Sequence, residues 1–438
     1  MRMSLRRNLK HFMYKIATNN IFSVLISVAV IVWIFFHGKG EDILDLTLFF
    51  ALVLSFTLQL AEKMLAAAIK NWTEDERKLD SNYDKLVKRY VDDFIVYDNA
   101  EADAKALHNL HKLVKPNYGD KGEKIKTKYR FPVQLVALFH GTDMIIRDSS
   151  EMYEIPEALS AVSSELFKAH ESSNSYNQLN IRVRDWGLTE QGFEIQTMRT
   201  TYFASLITNR AMDYPWSNGL TNRDVYQYGP FIESLAESKM SNHLGFNGFI
   251  KSSDGYIPFV KRNQIVSIGK CTYGDSIGAS MKAKYALDST TKELSKAGME
   301  KAFVQEIKDE LKIEPEYLEN FNIKTGVIAA YRDFVEGGKP QLLIYAKTTL
   351  SKEQIEANFK TKLKEEILQK KRSSWDKELK ELEDGSRILW IKMTELKELA
   401  IAPGLMMYKN KKLPMMPSAS AAVVMLLWWM QERKDERD

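Results

Sequence analysis

The chain has 438 residues, enough for two or three domains, and its 62 basic and 58 acidic side chains leave a formal net charge of only +4. So small a surplus does not indicate a partner with a polyanionic backbone, and no direct binding to a nucleic-acid polymer is expected. The single cysteine, Cys271, excludes a disulfide framework and fits a reducing compartment.

The first sixty residues have the pattern of a membrane anchor. Residues 1–20 carry five basic side chains and no acidic one, and two apolar runs follow at 21–36 and 44–61. The pattern predicts a two-helix transmembrane hairpin over 21–61 that contacts membrane lipid, with both chain termini in the cytoplasm. The alternatives are a signal peptide, whose apolar core would be shorter, and a hairpin buried in a protein core.

Residues 62–97 have the spacing of a coiled coil. Large side chains recur in alternating steps of four and three, which is a 3.5-residue seam interrupted by Glu76. We predict a juxtamembrane helical stalk that holds the subunits of a homo-oligomer together. The alternative is a helix docked on its own domain. The seam is formed by Leu65, Ile69, Trp72, Leu79, Tyr83, Leu86 and Tyr90.

Residues 98–240 form a mixed α/β accessory region. Apolar and polar side chains alternate at 181–184 and 193–196, which predicts strands, and 134–139 is a further strand candidate. Helical patterns are predicted through 104–114 and over 155–170 and 201–212.

The stretch 241–313 organises the rest of the chain. It predicts a strand at 247–250, a tight turn, and a returning strand at 256–260. A loop with three glycines follows, and a helix is predicted over 302–313.

In that helix, Glu306, Asp309 and Glu310 have i, i+3 and i+4 spacing and therefore project from one face. Oxygen ligands on one helix face suit a Mg²⁺ ion carried with a phosphate substrate. The alternative is an acidic face exposed to solvent.

The remaining C-terminal part predicts a hairpin, a charged helix, a strand and a final apolar helix. The final run is too short to span a bilayer, so we expect a buried terminal helix capped by Ser418 or Ser420. These elements are predicted at 326–331, 341–346, 351–382, 387–391 and 419–430.

The segment 305–313 resembles the second half of the Nudix box, whose pattern is Arg-Glu-apolar-x-Glu-Glu-x-Gly-apolar. Glu306 and Glu310 are kept, together with the apolar positions 307 and 313. The departures are Gln305 for the arginine, Asp309 for a glutamate, Lys312 for the glycine, and Thr291 and Ala297 at the conserved positions of the first half. The resemblance implies a Nudix-like α/β domain with a mixed sheet at 241–438.

A paired apolar hairpin with a Nudix-like domain resembles the membrane effectors of bacterial CBASS anti-phage operons. The resemblance implies an α+β chain whose cytoplasmic domain senses a cyclic oligonucleotide made by a CD-NTase. Binding would make the transmembrane helices oligomerise or rearrange, disrupting the bacterial inner membrane in an abortive infection.

On this hypothesis the ligand contacts basic and aromatic side chains near the strand that ends at residue 260. Lys261, Arg262 and Lys270 would meet phosphates, Arg262 in bidentate fashion, and Tyr273 would stack on a base. Asn247 and His243 are further ligand candidates, although the default for His243 is a helix-to-strand junction. No cofactor is expected, and the scattered histidines do not predict zinc.

Two other hypotheses remain. A membrane-anchored Nudix hydrolase of nucleoside-diphosphate derivatives would use Mg²⁺ held by Glu306 and Glu310, with Asp309 assisting as a third catalytic carboxylate. The missing arginine and glycine of the box weigh against it. A scaffold would bind no nucleotide and would tolerate charge reversal at Lys261 and Arg262.

Overall fold

A computed structural model describes residues 79–114, 125–167, 177–262, 268–369 and 385–433, with isolated positions at 57, 59, 61, 63, 64, 170, 266 and 381. These residues form an α+β fold with mixed sheets.

The helices and strands alternate along the chain. The helices are α1 Tyr83–Arg89, α2 Ala104–Val114, α3 Glu157–Phe167, α4 Tyr202–Ile207, α5 Asn222–Tyr226, α6 Ala283–Ala286, α7 Lys296–Leu311, α8 Ile323–Gly326, α9 Lys352–Gln369 and α10 Pro417–Glu432. The strands are β1 Val96–Asp98, β2 Lys128–Arg130, β3 Val133–Leu138, β4 Met144–Met152, β5 Leu179–Thr189, β6 Gly192–Thr201, β7 Gly245–Lys251, β8 Tyr256–Val260, β9 Ile277–Ser280, β10 Val327–Asp333, β11 Lys339–Lys347, β12 Ile388–Lys392, β13 Ala400–Ala402, β14 Leu405–Tyr408 and β15 Lys411–Pro414.

The membrane predictions need correction. Within the described ranges, no helix is both long and apolar enough to cross a membrane. That finding contradicts the predicted transmembrane hairpin and the multi-pass inner-membrane location with cytoplasmic termini. A span needs about 20 consecutive apolar residues, and the apolar helix α10 has 16. Residues 21–61 themselves lie outside the described residues, apart from positions 57, 59 and 61.

A five-stranded mixed sheet is the centre of the fold. Its order is β3-β10-β11-β7-β9, with β11 and β7 parallel and the other neighbours antiparallel. The first strand, β3, belongs to the accessory region 98–240, whereas the other four strands follow residue 240. The predicted boundary at residue 240 therefore divides the strands of one sheet.

The strands of this sheet are covered by a helix on each face. Alternate side chains point to opposite faces, so Phe246 packs on Phe303 of α7 with ring centroids 4.8 Å apart. On the other face Tyr345 packs on Trp429 of α10 at 5.1 Å. Because both faces are buried, every residue of β10 is buried.

Helix α7 begins six residues before its predicted start. Ser295 caps it by accepting a hydrogen bond from the Gly298 backbone N–H at 3.1 Å. At its other end, Lys312 adopts φ 62° and ψ 32°, the left-handed conformation that favours glycine. Lys312 therefore has the backbone conformation expected of the box glycine that it replaces.

The predicted turn between β7 and β8 is present, but the two strands do not pair. Gly255 donates its backbone N–H to the Ser252 carbonyl at 3.0 Å. Strand β8 then leaves the central sheet and pairs antiparallel with β12. The end of β8, where Lys261 and Arg262 follow, is thereby separated from β7.

Strand β5 attaches the accessory sheet β4-β6-β5 to the central domain. The Ile181 backbone N–H donates to the Met281 carbonyl at 3.0 Å, and the Leu244 N–H donates to the Ile181 carbonyl at 2.8 Å. The chain segments just before β7 and just after β9 are thus fixed against β5.

The described part of the predicted stalk lies against the same chain. Leu86 and Tyr90 are buried, and the rings of Tyr90 and Phe334 meet edge to face at 5.2 Å. This packing is the one expected if the helix docks on its own domain. Lys63 and Met64 are the other described residues of 62–78.

The C-terminal apolar run forms the buried helix α10, but neither predicted serine caps it. The N-cap is Met416, which makes no side-chain capping bond, and Pro417 occupies the first turn. Ser420 instead donates its hydroxyl to the Pro417 carbonyl at 3.1 Å.

We expect Gly298→Ala to destabilise the fold by roughly 1–2 kcal/mol, although alanine is the better helix former. An alanine Cβ at this position would lie 2.0 Å from the Ala286 carbonyl oxygen, so α6 and α7 would have to separate. Urea denaturation measures the loss. The control is Lys301→Ala at an exposed position of the same helix, and equal stability of the two variants would contradict the close approach.

Candidate functional site

A cavity of about 440 Å³ opens between the central domain and the accessory region. It is bounded by the edge strand β9, the end of β8, one face of α7 and the N-terminus of α10. Six cationic side chains and four carboxyl groups line it, so its wall favours an anion. The cations are Arg210, Lys261, Arg262, Lys282, Lys339 and Arg387, and the carboxyl groups are Asp275, Glu306, Glu310 and Glu336.

The main carboxylate of α7 is already paired with an ammonium group. Lys282 Nζ lies 2.6 Å from Glu306 Oε1 and donates a hydrogen bond to Oε2 at 2.8 Å. The Glu306 side chain is 1% exposed, and burial raises its pKa to about 7. Burial lowers the pKa of Lys282, but the Glu306 carboxylate raises it by more. The pKa of Lys282 is therefore raised overall.

The other two carboxylates of the predicted acidic face are separated from Glu306. Asp309 accepts hydrogen bonds from the Tyr285 hydroxyl and the Gln305 amide, both at 2.9 Å, and lies outside the cavity lining. Glu310 remains on the cavity wall, where enclosure by protein raises its pKa while Lys282 and Arg262 lower it.

The donor set does not fit a magnesium ion. Mg²⁺ requires several oxygen ligands in octahedral arrangement, and in this wall Lys282 occupies the position beside Glu306 that the cation would take. Within the described ranges, no group of three or more potential ligand side chains is placed to hold a metal. The ion pair of Lys282 and Glu306 therefore does not match the Mg²⁺ site that the hydrolase hypothesis requires.

Arg262 is the cavity cation that the fold leaves most available. Its Nε is buried without a hydrogen-bond partner among the described residues. Burial, followed by the nearby charge of Arg210, lowers its pKa, while Glu310 raises it. A buried guanidinium without a carboxylate partner costs free energy that an anionic ligand can recover.

Asp275 lies beside this arginine and is 4% exposed. Neither carboxyl oxygen has a hydrogen-bond partner in the part of the chain that the structure describes. Burial raises its pKa well above the ordinary value, and Arg262 only partly opposes the shift. Burial therefore favours the neutral form of Asp275, the form that leaves the charge of Arg262 uncancelled.

Lys261 and Arg387 share one carboxylate behind the wall. Lys261 Nζ lies 3.1 Å from Glu381 Oε1, and Arg387 Nη1 lies 3.9 Å from Glu381 Oε2. Tyr273 adjoins them, and its hydroxyl donates to the Ser386 carbonyl at 2.9 Å. These contacts fix the aromatic ring and both cations at one end of the cavity.

The cavity wall also carries a buried charge cluster. Glu336 lies 3.3 Å from Lys339 Nζ and 3.8 Å from Arg210 Nε. Just behind it, burial and the charge of Glu336 raise the pKa of Asp333 to about 6, while a hydrogen bond from Ser418 opposes the shift. Ser418 and Ala419 bring the N-terminus of α10 to the same wall.

The cavity brings together most of the residues predicted from sequence. Its wall contains Asn247, Lys261, Arg262, Tyr273, Glu306 and Glu310. Lys270 is partly exposed and lies outside the lining. His243 is fully buried without a hydrogen-bond partner for its ring among the described residues, and burial lowers its pKa well below the ordinary value.

Sequence reasoning missed the residues that come from other parts of the chain. Arg210 and Lys339 lie far from 241–313 in sequence, and only the sheet topology brings them to the wall. Lys282 lies within that stretch but belongs to no motif. Its spacing of 24 residues from Glu306 gives no local signal of an ion pair.

Comparison with known proteins adds little to this geometry. No family model and no curated protein matches the chain. The crystal structure of DR0079 from Deinococcus radiodurans is similar at 13% identity, over 32% of this chain and 82% of that chain, with a TM-score of 0.18. A likeness this weak carries no argument about fold or function.

We expect Lys282→Ala to lower the free energy of unfolding by about 3 kcal/mol, because it leaves the Glu306 carboxylate buried and unpaired. The double variant Lys282→Met, Glu306→Gln should recover a large part of the loss. Urea denaturation at pH 8 measures both. The matched control is Lys284→Ala, an exposed lysine two residues away. A loss no larger than that of the control would show that the pair is not structural.

The raised pKa of Asp333 predicts a pH-dependent stability. Its folded-state pKa of about 6 exceeds the ordinary 3.8. The contribution of Asp333 to folding stability is therefore fully present below pH 3.8 and is lost as the pH rises through 6. Relative to Asp333→Asn, the free energy of unfolding of the wild-type protein should fall by on the order of 2 kcal/mol between pH 4 and 7. Denaturation at four pH values measures this. Asp288→Asn, at an exposed turn, is the control, and parallel curves for wild type and Asp333→Asn would contradict the prediction.

Proposed function

We propose that this chain is a non-hydrolytic receptor for a phosphorylated nucleotide, and that the ligand is a cyclic oligonucleotide. The observation that carries the proposal is the contact of 2.6 Å between Lys282 Nζ and Glu306. A protein ammonium neutralises the carboxylate there, so the cavity can bind phosphate without a divalent ion. With no metal to polarise a phosphoryl oxygen or to activate water, the ligand is kept intact.

The phosphate contacts are assigned to one end of the cavity. Arg262 offers a planar guanidinium whose geometry matches two phosphate oxygens. Lys261 and Arg387 can exchange Glu381 for a phosphate, because the contacts of 3.1 and 3.9 Å to that carboxylate are not tight bidentate bonds. The backbone N–H groups at the start of α10 add partial positive charge to the same wall.

A cyclic oligonucleotide suits the shape and charge of the cavity. Drug-sized ligands occupy pockets of roughly 300–1,000 Å³, and this cavity of about 440 Å³ lies within that range. Cationic side chains from separate parts of the chain line it, among them Lys261 after β8 and Lys339 in β11. A ligand with two or more phosphodiesters can contact more than one of them. The resemblance to CBASS sensors supports the same class and implies that a CD-NTase makes the ligand.

The test is isothermal titration calorimetry of the full chain with a panel of cyclic di- and trinucleotides, with and without Mg²⁺. We expect selective binding that needs no Mg²⁺ and leaves the ligand unchanged by chromatography. Arg262→Ala should weaken binding about 10- to 100-fold, because it removes a charge-assisted contact. The matched control is Arg184→Ala, whose side chain is 57% exposed and lies outside the cavity lining.

Two outcomes would overturn the receptor proposal. Mg²⁺-dependent turnover of a nucleoside-diphosphate derivative that is lost in Glu310→Gln would establish the hydrolase. Failure of every nucleotide to bind, with unchanged behaviour of charge-reversal variants at Lys261 and Arg262, would establish a scaffold.

A further inference from the structure

Part of the cavity wall comes from the accessory region. Gln178, Tyr202 and Arg210 line the cavity opposite the predicted phosphate-contacting residues. The Tyr202 backbone N–H donates to the Gln178 carbonyl at 2.8 Å, so the first two residues are held together. Strand β5, which starts at residue 179, then fixes this corner to the central domain.

Tyr202 and Arg210 form one contacting unit. Arg210 Nη1 donates to the Tyr202 hydroxyl at 2.7 Å, and its Cζ lies over the tyrosine ring, 5.0 Å from the ring centre. Glu336, 3.8 Å from Arg210 Nε, restrains the guanidinium from the other side. Both groups are partly buried, so the unit is held in place before any ligand binds.

Such a unit suits a nucleobase better than a phosphate. Aromatic rings and guanidinium planes both stack on bases, and the stacking tolerates different bases because each has a π-face. Glu336, which lies beside Arg210, disfavours a phosphate there but does not repel a neutral base. Lys261 and Arg262, the proposed phosphate contacts, follow the end of β8.

We propose that Tyr202 and Arg210 form a nucleobase subsite, so that the accessory region contacts the base while the central domain holds the phosphates. This inference rests on the proposed receptor function and adds to it a specific division of the ligand between two parts of the chain. It also assigns Tyr202 as a residue that touches the ligand, although it lies outside the Nudix-like segment.

The experiment compares probes with and without a base on the full chain. Adenosine 5′-monophosphate and guanosine 5′-monophosphate carry a base, whereas ribose 5-phosphate does not. Tyr202→Leu should weaken binding of both nucleotides about ten-fold and leave ribose 5-phosphate unchanged. Arg262→Ala should weaken all three. The control is Tyr226→Leu, a partly buried tyrosine of the same region outside the cavity lining.

A fluorescence measurement separates stacking from a folding defect. The 5′-monophosphate of 2-aminopurine riboside should be quenched on binding to wild type and to Tyr202→Phe, which keeps the ring, but not to Tyr202→Leu. Equal loss of nucleotide and ribose 5-phosphate binding in Tyr202→Leu, or unaltered quenching in that variant, would overturn the base subsite and leave the receptor function standing. Failure of wild type to bind these probes and every cyclic oligonucleotide of the calorimetry panel would overturn both.

Discussion

The ammonium group of Lys282 is the interaction on which the site depends. It lies within 2.8 Å of both oxygens of Glu306 and joins the segment after β9 to the middle of α7. A buried carboxylate at that position would otherwise need a proton or a metal. A lysine is attached to the chain and cannot dissociate, so neutralising Glu306 does not require a metal ion.

The second constraint is that the cavity belongs to two parts of the chain at once. Strand β5 bonds to segments on both sides of the β7–β9 pair, and this attachment brings Arg210 opposite Arg262. Burial lowers the pKa of Arg262, and the nearby charge of Arg210 lowers it further. Glu336 lies 3.8 Å from Arg210 Nε and 3.3 Å from Lys339 Nζ.

The elements with strong local patterns could be predicted from sequence, and those set by distant pairing could not. Strands β10 and β11 and helix α10 carry their own signal, because each contains a continuous run of apolar residues. The partner of β8 is β12, more than a hundred residues later, and no local pattern specifies that choice. The acidic spacing of α7 was visible, but the lysine that neutralises Glu306 was not. The apolar runs before residue 62 resembled membrane spans by composition, and composition alone does not fix a location.

The place of β3 in the central sheet has a consequence for how the chain acquires its structure. Leu138 of β3 pairs with Ala329 of β10, so the sheet cannot close until roughly 190 further residues have been synthesised. During translation at about 5–20 residues per second, β3 waits on the order of ten seconds with an unpaired edge. Until β10 has been synthesised, β3 presents an unpaired strand edge, and such edges are sites of aggregation.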